Sequence, residues 1–374
     1  MMDTKPTVCQ ILHALRVGGA EVLAARLARQ LREQYRFLFV CLDDLGTLGE
    51  ELAKEGFSVQ VLGRQPGLDW RCMLRLAGLL RRERVQLVHA HQYTPFFYAA
   101  TARWFSGRAP VLFTEHGRHF PDFPRRKRML ANRLLVNRHD RIIGVGQAVR
   151  RALLDNEGIP AERAQVIYNG IDLSPYQNGA PSREIARKNM GVEPGDFVII
   201  QVARLDYLKD HATALRTLGR VAKQLPRARL VLVGEGPELE KIQEHIRQGE
   251  LAAHVRLLGL RKDVAQLLPA ADVFLLTSIS EGIPLTVIEA MAARLPVVAT
   301  RVGGLGEIIT EEATGLLAPS GDDEALAKHL LRLAEDPALR AQMGRLGCER
   351  ALAKFSEPQM HACYQKLYEE MLCG

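Results

Sequence analysis

The sequence predicts an α/β protein built as two doubly wound parallel sheets with a ligand cleft between them. Three observations carry that prediction. Strand-like apolar runs alternate with helical stretches along all 374 residues, the mark of parallel α/β layering. A Pro/Gly/Ser-rich stretch, Asp172 to Pro181, reads as a linker and divides the alternation into two series. In both series, turns rich in glycine and charge follow the strands, at the edge where open α/β sheets place their ligands.

The elements follow in order from period and punctuation. The first series has strands near 7–13, 36–42, 58–62, 85–90, 110–114, 141–145 and 165–168, each a short apolar run of the kind buried on both faces. Helical stretches near 19–33, 47–55, 70–83, 94–105, 126–138 and 147–157 separate them. The second series has strands near 196–203, 228–233, 254–258, 272–276, 296–299 and 315–317. Its helices lie near 210–225, 237–248, 262–268, 285–294, 304–309, 322–335 and 337–353. The last segment, Glu357 to Leu372, carries Met360, Cys363, Tyr364, Leu367, Tyr368 and Met371 at helical spacing. No strand follows it, so it is expected to pack back across the linker. The expected domains are 1–173 and 174–356.

Each domain is long enough to bury a core of its own. The runs Val231-Leu232-Val233 and Val273-Phe274-Leu275-Leu276 are too short to cross a bilayer. Met1 to Pro6 has no apolar signal core, so the expected location is the cytoplasm. Six scattered cysteines (Cys9, Cys41, Cys72, Cys348, Cys363, Cys373) lack C-x-x-C or metal-ligand spacing, which predicts free thiols and no structural zinc. The formal net charge of +7 comes entirely from the first half. Residues 1–174 hold 26 basic against 17 acidic side chains (+9), and the remainder 24 against 26 (−2). The excess clusters at 81–84 and 125–128. Such a face fits an anionic membrane, a phosphorylated acceptor or a plain solvated surface. No aromatic-interleaved RNA motif accompanies it, so nucleic acid is not an expected partner.

The segment Ser280-Glu281-Gly282-Ile283-Pro284-Leu285-Thr286-Val287-Ile288-Glu289-Ala290 carries the most chemistry. Gly282 and Pro284 break regular structure, and Leu285 to Arg294 then reads as a helix. Exposed N–H groups at such a start attract anions. Glu281 lies just outside that end and Glu289 about one turn inside. Carboxylates there suit neutral hydroxyls of a sugar or ribose flanking a bound phosphate, or they are a helix-mouth Glu and a solvated Glu. Upstream, Arg204 and Lys209 flank a strand-to-helix turn, where a forked guanidinium and a point-charge ammonium suit a diphosphate. Gly234-Glu235-Gly236-Pro237 is another such joint, and Leu258-Gly259-Leu260-Arg261 is a turn able to border a flat base. In the first half, Gly18-Gly19 opens a helix and reads as a ligand loop or a tight turn; without G-x-G-x-x-G, a nicotinamide cofactor does not fit. His116 ends one strand, and His89 and His91 end another; an imidazole there serves a sugar hydroxyl or only the core. The turns at 204–209, 234–237, 259–261 and 281–285 all follow strands and so converge on one edge, which unrelated surface residues would not do.

On these residues the chain resembles the retaining family 4 glycosyltransferases of the GT-B fold over nearly its whole length. The carriers are Gly18-Gly19-Ala20-Glu21, His116, Tyr168-Asn169-Gly170-Ile171-Asp172, Arg204 with Lys209, and Gly234-Glu235-Gly236-Pro237. The E-x7-E pair Glu281/Glu289, Pro296-Val297-Val298-Ala299-Thr300 and Gly303-Gly304 complete the set. The run Thr114 to Asp122 also resembles a subgroup tied to bacterial exopolysaccharide and surface-glycan assembly.

The resemblance implies two Rossmann-like domains, an acceptor-side one rejoined by the C-terminal helix 357–374 and a second one that binds a nucleotide sugar. It implies Glu289 on the donor ribose, Glu281 on hexose hydroxyls, and Arg204 and Lys209 on the diphosphate. The backbone at Gly282, Ile283, Pro284 and Leu285 would assist. Leu260 and Arg261 would border the base beside Gly234, Gly18 and Gly19 would touch the donor, and His116 would face the transferred sugar. His116, Arg204, Lys209 and Glu281 form the implied catalytic set.

The implied activity is metal-independent transfer of a hexosyl unit, with retention, from a nucleoside-diphosphate sugar (UDP favoured) to a hydroxyl of a glycan or lipid-linked acceptor. No cofactor beyond the donor is expected. The charge split leaves contact with the inner face of an anionic membrane as one open reading of the basic first half. A nucleotide-sugar epimerase of the same fold and a non-catalytic nucleotide-sugar-binding partner are the alternatives. Three residues depart from the family pattern: Asp210 stands after the Lys where Gly is usual, Arg294 in place of a small residue, and Gly146 in place of a Ser.

Overall fold

The computed structural model describes residues 5–16, 18–107, 109–117, 122–177 and 182–373. Val17 of the glycine loop, 118–121 of the Thr114–Asp122 run, 178–181 of the expected linker and Gly374 lie outside the described residues. The chain divides into two compact units, Met1–Asn169 with Pro358–Gly374, and Gly170–Glu357.

The first unit is built on β1 (Thr7–Ala14), β2 (Arg36–Asp44), β3 (Ser58–Val61), β4 (Leu87–His91), β5 (Val111–Glu115), β6 (Arg141–Gly144) and β7 (Ala164–Val166). Their order is β3-β2-β1-β4-β5-β6-β7, with every pair parallel. The winding reverses between β1 and β4, and that switch point is where a doubly wound sheet leaves a crevice. Both faces of the sheet are covered, so β4 and β5 are buried throughout. The helix Glu357–Cys373 packs in this unit. Met360, Tyr364, Leu367, Tyr368 and Met371 enter the core beside Leu12, Phe39 and Leu112, and burying each such side chain contributes roughly 1.5–3 kcal/mol.

The second unit holds β8 (Phe197–Val202), β9 (Ala228–Val233), β10 (Val255–Leu257), β11 (Val273–Leu276), β12 (Val297–Thr300) and β13 (Gly315–Ala318). Their order is β10-β9-β8-β11-β12-β13, again parallel, with the switch point between β8 and β11.

The element that sequence reasoning missed is the helix Arg183–Met190, which follows the expected linker. Its caps were legible: the Ser182 hydroxyl accepts from the Ile185 amide at 3.4 Å, and Gly191 closes the helix at φ 67°. Within it, the Arg187 guanidinium donates to the carbonyls of Ala270, Glu193, Pro194 and Asp196 and to the Asp272 carboxylate, tying the helix to the sheet's base. A short helix, Ser174–Gln177, also interrupts the stretch expected to be irregular.

Two of the three departures from the family pattern have a structural consequence. Asp210 (φ 43°) and Arg294 (φ 60°) both adopt the left-handed conformation that glycine adopts at least cost. Asp210 offsets part of the strain by capping the next helix, its carboxylate accepting from the Thr213 amide at 3.1 Å. Gly146 starts the helix Gln147–Glu157 with no side-chain cap. All six cysteines are unpaired. Among the described residues, no helix is long and apolar enough to cross a membrane.

Candidate active site

Every strand of the second sheet runs the same way, so the turns that follow them gather at one edge, and backbone contacts join those turns into a continuous belt. The Gly234 amide donates to the Gly259 carbonyl at 2.9 Å, and the Leu205 amide donates to the Glu235 carbonyl at 2.9 Å. A Cβ at Gly234 would overlap the Ala203 carbonyl oxygen, and one at Gly236 the Leu205 carbonyl oxygen, so glycine is what lets the turns after β8 and β9 touch. The Ile279 amide donates to the Leu208 carbonyl at 2.9 Å. The buried Thr277 hydroxyl donates to the carbonyls of Lys209 and Asp210 at 3.0 and 2.9 Å. At the far end, a Cβ at Gly303 or Gly304 would overlap the carbonyl of Glu281 or Gly282 respectively. The four turns expected to converge do so.

The centre of that belt is the β8/β11 switch point. Lys209, from the turn after β8, donates through Nζ to Glu281 Oε1, from the turn after β11, at 2.6 Å. The Ser278 hydroxyl donates to the same oxygen at 2.6 Å. The Glu281 side chain is 7% exposed and Lys209 is 22% exposed, so the pair is held in a partly desolvated place where charge acts at longer range than in water. Arg204 is 70% exposed, with only a 3.6 Å approach to Asp206, and its fork faces solvent. The helix Leu285–Ala292 opens after Pro284 with no side-chain cap, and that arrangement suits an anion at its mouth. Glu289 is half-buried on this helix.

The remaining donor-side residues are placed differently. Leu260 is exposed beyond β10. Arg261 forks onto Asp263 at 2.7 and 2.5 Å, so its guanidinium is already engaged. Ile283 is buried.

In the first unit, Gly18 starts the helix Gly19–Gln30 in extended conformation, with no side-chain cap. A Cβ on Gly18 would meet the Glu21 carboxylate, whereas Gly19 has open space around it. Burial pushes the Glu21 carboxyl up from the usual range. His116 follows β5, with its Nε2 2.8 Å from His91 Nδ1. Its Nδ1 is buried with no hydrogen-bond partner among the described residues. Desolvation pushes the His116 pKa down to about 4, and holds His89 and His91 well below the usual value, so all three rings are neutral at pH 7.

Sequence reasoning passed over several residues that hold these groups. Thr277 and Ser278 fix the Lys209–Glu281 turn pair, and Gln10 and Tyr368 contact the histidines. Gln10 was detectable, because a lone amide inside the apolar β1 run breaks the pattern expected of a strand buried on both faces.

Comparison with known proteins places these features. Residues 17–175 match the family model described as Glycosyltransferase Family 4, and residues 182–350 match Glycosyl transferases group 1. The chain is 25% identical over 372 residues to an N-acetyl-alpha-D-glucosaminyl L-malate synthase of Bacillus anthracis, with 95% of each chain covered. It is 26% identical to the UDP-Gal:alpha-D-GlcNAc-diphosphoundecaprenol alpha-1,3-galactosyltransferase of Escherichia coli, with 82% of each covered. Among solved structures, Anabaena Alr3699/HepE in complex with UDP superposes with a TM-score of 0.85 at 24% identity, covering 98% of this chain and 100% of that one. A glycosyltransferase from Rickettsia africae gives a TM-score of 0.86 at 22% identity, covering 98% and 99%.

Proposed function

The chain belongs to the glycosyltransferases of the GT-B fold, and on that premise we propose that it moves a hexosyl unit from a nucleoside-diphosphate sugar, with UDP as the base carrier, to an acceptor hydroxyl, with retention and without a metal. One observation carries the proposal: Lys209 and Glu281 face each other across the β8/β11 switch point. A bound donor exchanges that internal pair for two external contacts. The diphosphate takes the ammonium, and a hexose hydroxyl takes the carboxylate.

The chemistry follows from where charge develops. As the C1–O bond to the diphosphate breaks, negative charge grows on the leaving oxygen and positive character on the sugar. Lys209, Arg204 and the backbone amides opening the helix Leu285–Ala292 meet the first. In a front-face course, the acceptor oxygen bonds to C1 on the side the diphosphate leaves, and the departing phosphate oxygen takes the acceptor proton. Atoms balance without a covalent enzyme intermediate. Glu289 serves the ribose, and His116 faces the transferred sugar. The relative named for transfer from UDP-Gal to a diphosphoundecaprenol-linked sugar, and the neighbour solved with UDP, support the choice of donor and a lipid-linked acceptor.

Thermal stabilisation of the purified protein by UDP-, GDP- and ADP-sugars in the presence of a chelator tests the donor and the metal together. UDP-sugars are expected to give the largest shift, unchanged by chelator. Stabilisation only by another base, or only with added divalent metal, contradicts the proposal. The anomeric configuration of the product tests retention.

The basic face of the first unit supports an anionic membrane as the place of action. The helix Arg126–Leu135 exposes Leu130 (66%) and Leu134 (74%) with Phe123 nearby, among Arg126, Lys127 and Arg133. Arg128, in the basic run of the sequence, is not part of that surface. It bonds Glu157 at 2.9 Å and lies 3.9 Å over the Tyr93 ring. Replacing Leu130 and Leu134 with Ser is expected to weaken binding to anionic vesicles, and undiminished binding contradicts the assignment.

A further inference from the structure

Beneath the carboxyl edge of the first sheet lies a chain of neutral polar side chains whose hydrogen bonds share one direction. Gln10 on β1 sits in register with His89 on β4, and His91 pairs with Thr114 on β5. The Gln10 Oε1 is 2.7 Å from His91 Nε2, and His91 Nδ1 is 2.8 Å from His116 Nε2. On its other side, Gln10 Nε2 donates to the Tyr368 hydroxyl at 3.0 Å, and that hydroxyl is 2.7 Å from His89 Nδ1. His89 Nε2 is 2.9 Å from Thr114 Oγ1, which lies 3.3 Å from the Tyr364 hydroxyl.

One amide fixes every proton in this chain. A carbonyl oxygen only accepts, so His91 Nε2 carries the hydrogen and donates it to Gln10. A neutral His91 then has a bare Nδ1, so His116 Nε2 carries a hydrogen and donates it there. A neutral His116 is left with a bare Nδ1. In the other direction, Tyr368 receives from the Gln10 amide and gives its own hydrogen to His89 Nδ1. His89 therefore holds its hydrogen on Nε2 and donates it to Thr114. All three rings are the Nε2–H tautomer. Turning the Gln10 amide over reverses each step and makes all three Nδ1–H. That reversal would leave His116 with a buried N–H and no acceptor, and an orphaned N–H is rarer in folded proteins than an under-satisfied acceptor.

Resting on the assignment of His116 to the transferred sugar, we propose that Gln10, His91 and the C-terminal Tyr368 are positioning residues that fix His116 as a hydrogen-bond acceptor through Nδ1. Within the histidine cluster this is the ring nitrogen not already engaged: both nitrogens of His89 and of His91 have partners, and His116 Nδ1 has none among the described residues. A buried, unsatisfied group of this kind calls for a functional partner. A sugar hydroxyl that donates to Nδ1 becomes more electron-rich, which favours positive character on the sugar ring. An Nδ1–H would draw density the other way. The helix Glu357–Cys373 thereby does more than fill the core, because through Tyr368 it holds the amide whose direction His116 inherits.

Two-bond 1H–15N correlation spectra of the histidine rings in the full-length protein test this at pH 7.5. The expected result is the Nε2–H tautomer for His89, His91 and His116, with His116 assigned by the loss of its signals in His116→Gln. Tyr368→Phe, which keeps the ring in the core, is expected to give a mixture of tautomers at His116 and to lower kcat about tenfold with KM for the donor within about twofold. Tyr364→Phe, from the same helix but at the far end of the chain, is expected to leave the His116 tautomer unchanged. An Nδ1–H tautomer at His116 in the parent protein, or unaltered tautomers in Tyr368→Phe, would overturn the proposal. A His116 Nδ1 resonance that stays put when UDP-sugar is added removes the sugar-facing assignment instead, while leaving the relay as measured.

Discussion

The two switch points of this protein handle polarity in opposite ways. At the β1/β4 edge, Gln10, His89, His91, Thr114 and Tyr368 are buried, neutral and bonded to one another. At the β8/β11 edge, Lys209 and Glu281 form an ion pair, and Arg204, on the same turn as Lys209, is exposed. A diphosphate asks for charge that can be released from an internal partner. A sugar passing through positive character asks for hydrogen bonds of defined direction, and a fixed neutral tautomer supplies that without adding a competing cation. The same architecture thus gives one edge charge and the other direction.

The strongest way to break the contrast is to remove the charge. Lys209→Ala is expected to lower kcat by about 10²–10³-fold, the loss of one preorganised transition-state donor, roughly 2.7–4 kcal/mol. Tyr364→Phe, at the neutral edge, is expected to change kcat less than about twofold. Steady-state kinetics on both variants decides it, and equal losses erase the distinction.

Acid sharpens it through stability. Burial lowers the pKa of His116 and His361 to about 4 and holds His89 and His91 well below the usual value, while the second unit has His211 at about 4. Each folded pKa is depressed below the unfolded value near 6.5, so the unfolded chain binds protons first. The stability these groups provide is complete above that value and is lost as pH falls from about 6.5 towards 4, by roughly 3 kcal/mol for a histidine shifted that far. Four such rings against one predict that the first unit gives way earlier. Both tryptophans, Trp70 and Trp104, belong to the first unit, so their fluorescence should change at higher pH than the far-UV dichroism. Coincident transitions would contradict the unequal load.

Close packing beside Glu281, against open space beside His116, is the next difference to probe. At Gly303 (φ 49°) a Cβ would overlap the Glu281 carbonyl, whereas Gly117, beside His116, has open space. Gly303→Ala is expected to cost about 2–3 kcal/mol in denaturant unfolding and Gly117→Ala less than about 0.5. Smallest of all, Arg294→Gly is expected to add about 0.5–1 kcal/mol by relieving a left-handed arginine. A loss there would mean that the arginine side chain stabilises more than its backbone strain costs.

Much of this was legible in the residues. Parallel layering followed from the apolar runs, and the convergence of the turns at 204–209, 234–237, 259–261 and 281–285 followed from each coming after a strand. Particular pairings were not legible. Nothing in spacing says that Lys209 meets Glu281 rather than Asp206, because that depends on which strands become neighbours at the switch point. That Asp263, two residues on, takes the Arg261 fork was not legible either. The helix Arg183–Met190 was hidden beside Pro- and Gly-rich sequence although its capping residues were in view. Gln10 and Tyr368 lie 358 residues apart and meet only in the folded core.

Donor binding is expected to break the Lys209–Glu281 pair and give its two halves to different parts of one ligand. A crystal structure with an unreactive UDP-hexose analogue measures this directly. The diphosphate is expected on Lys209 Nζ and a hexose hydroxyl on the Glu281 carboxylate, with the present 2.6 Å contact lengthened beyond hydrogen-bond reach. A bound analogue lying elsewhere, with that contact intact, would contradict it.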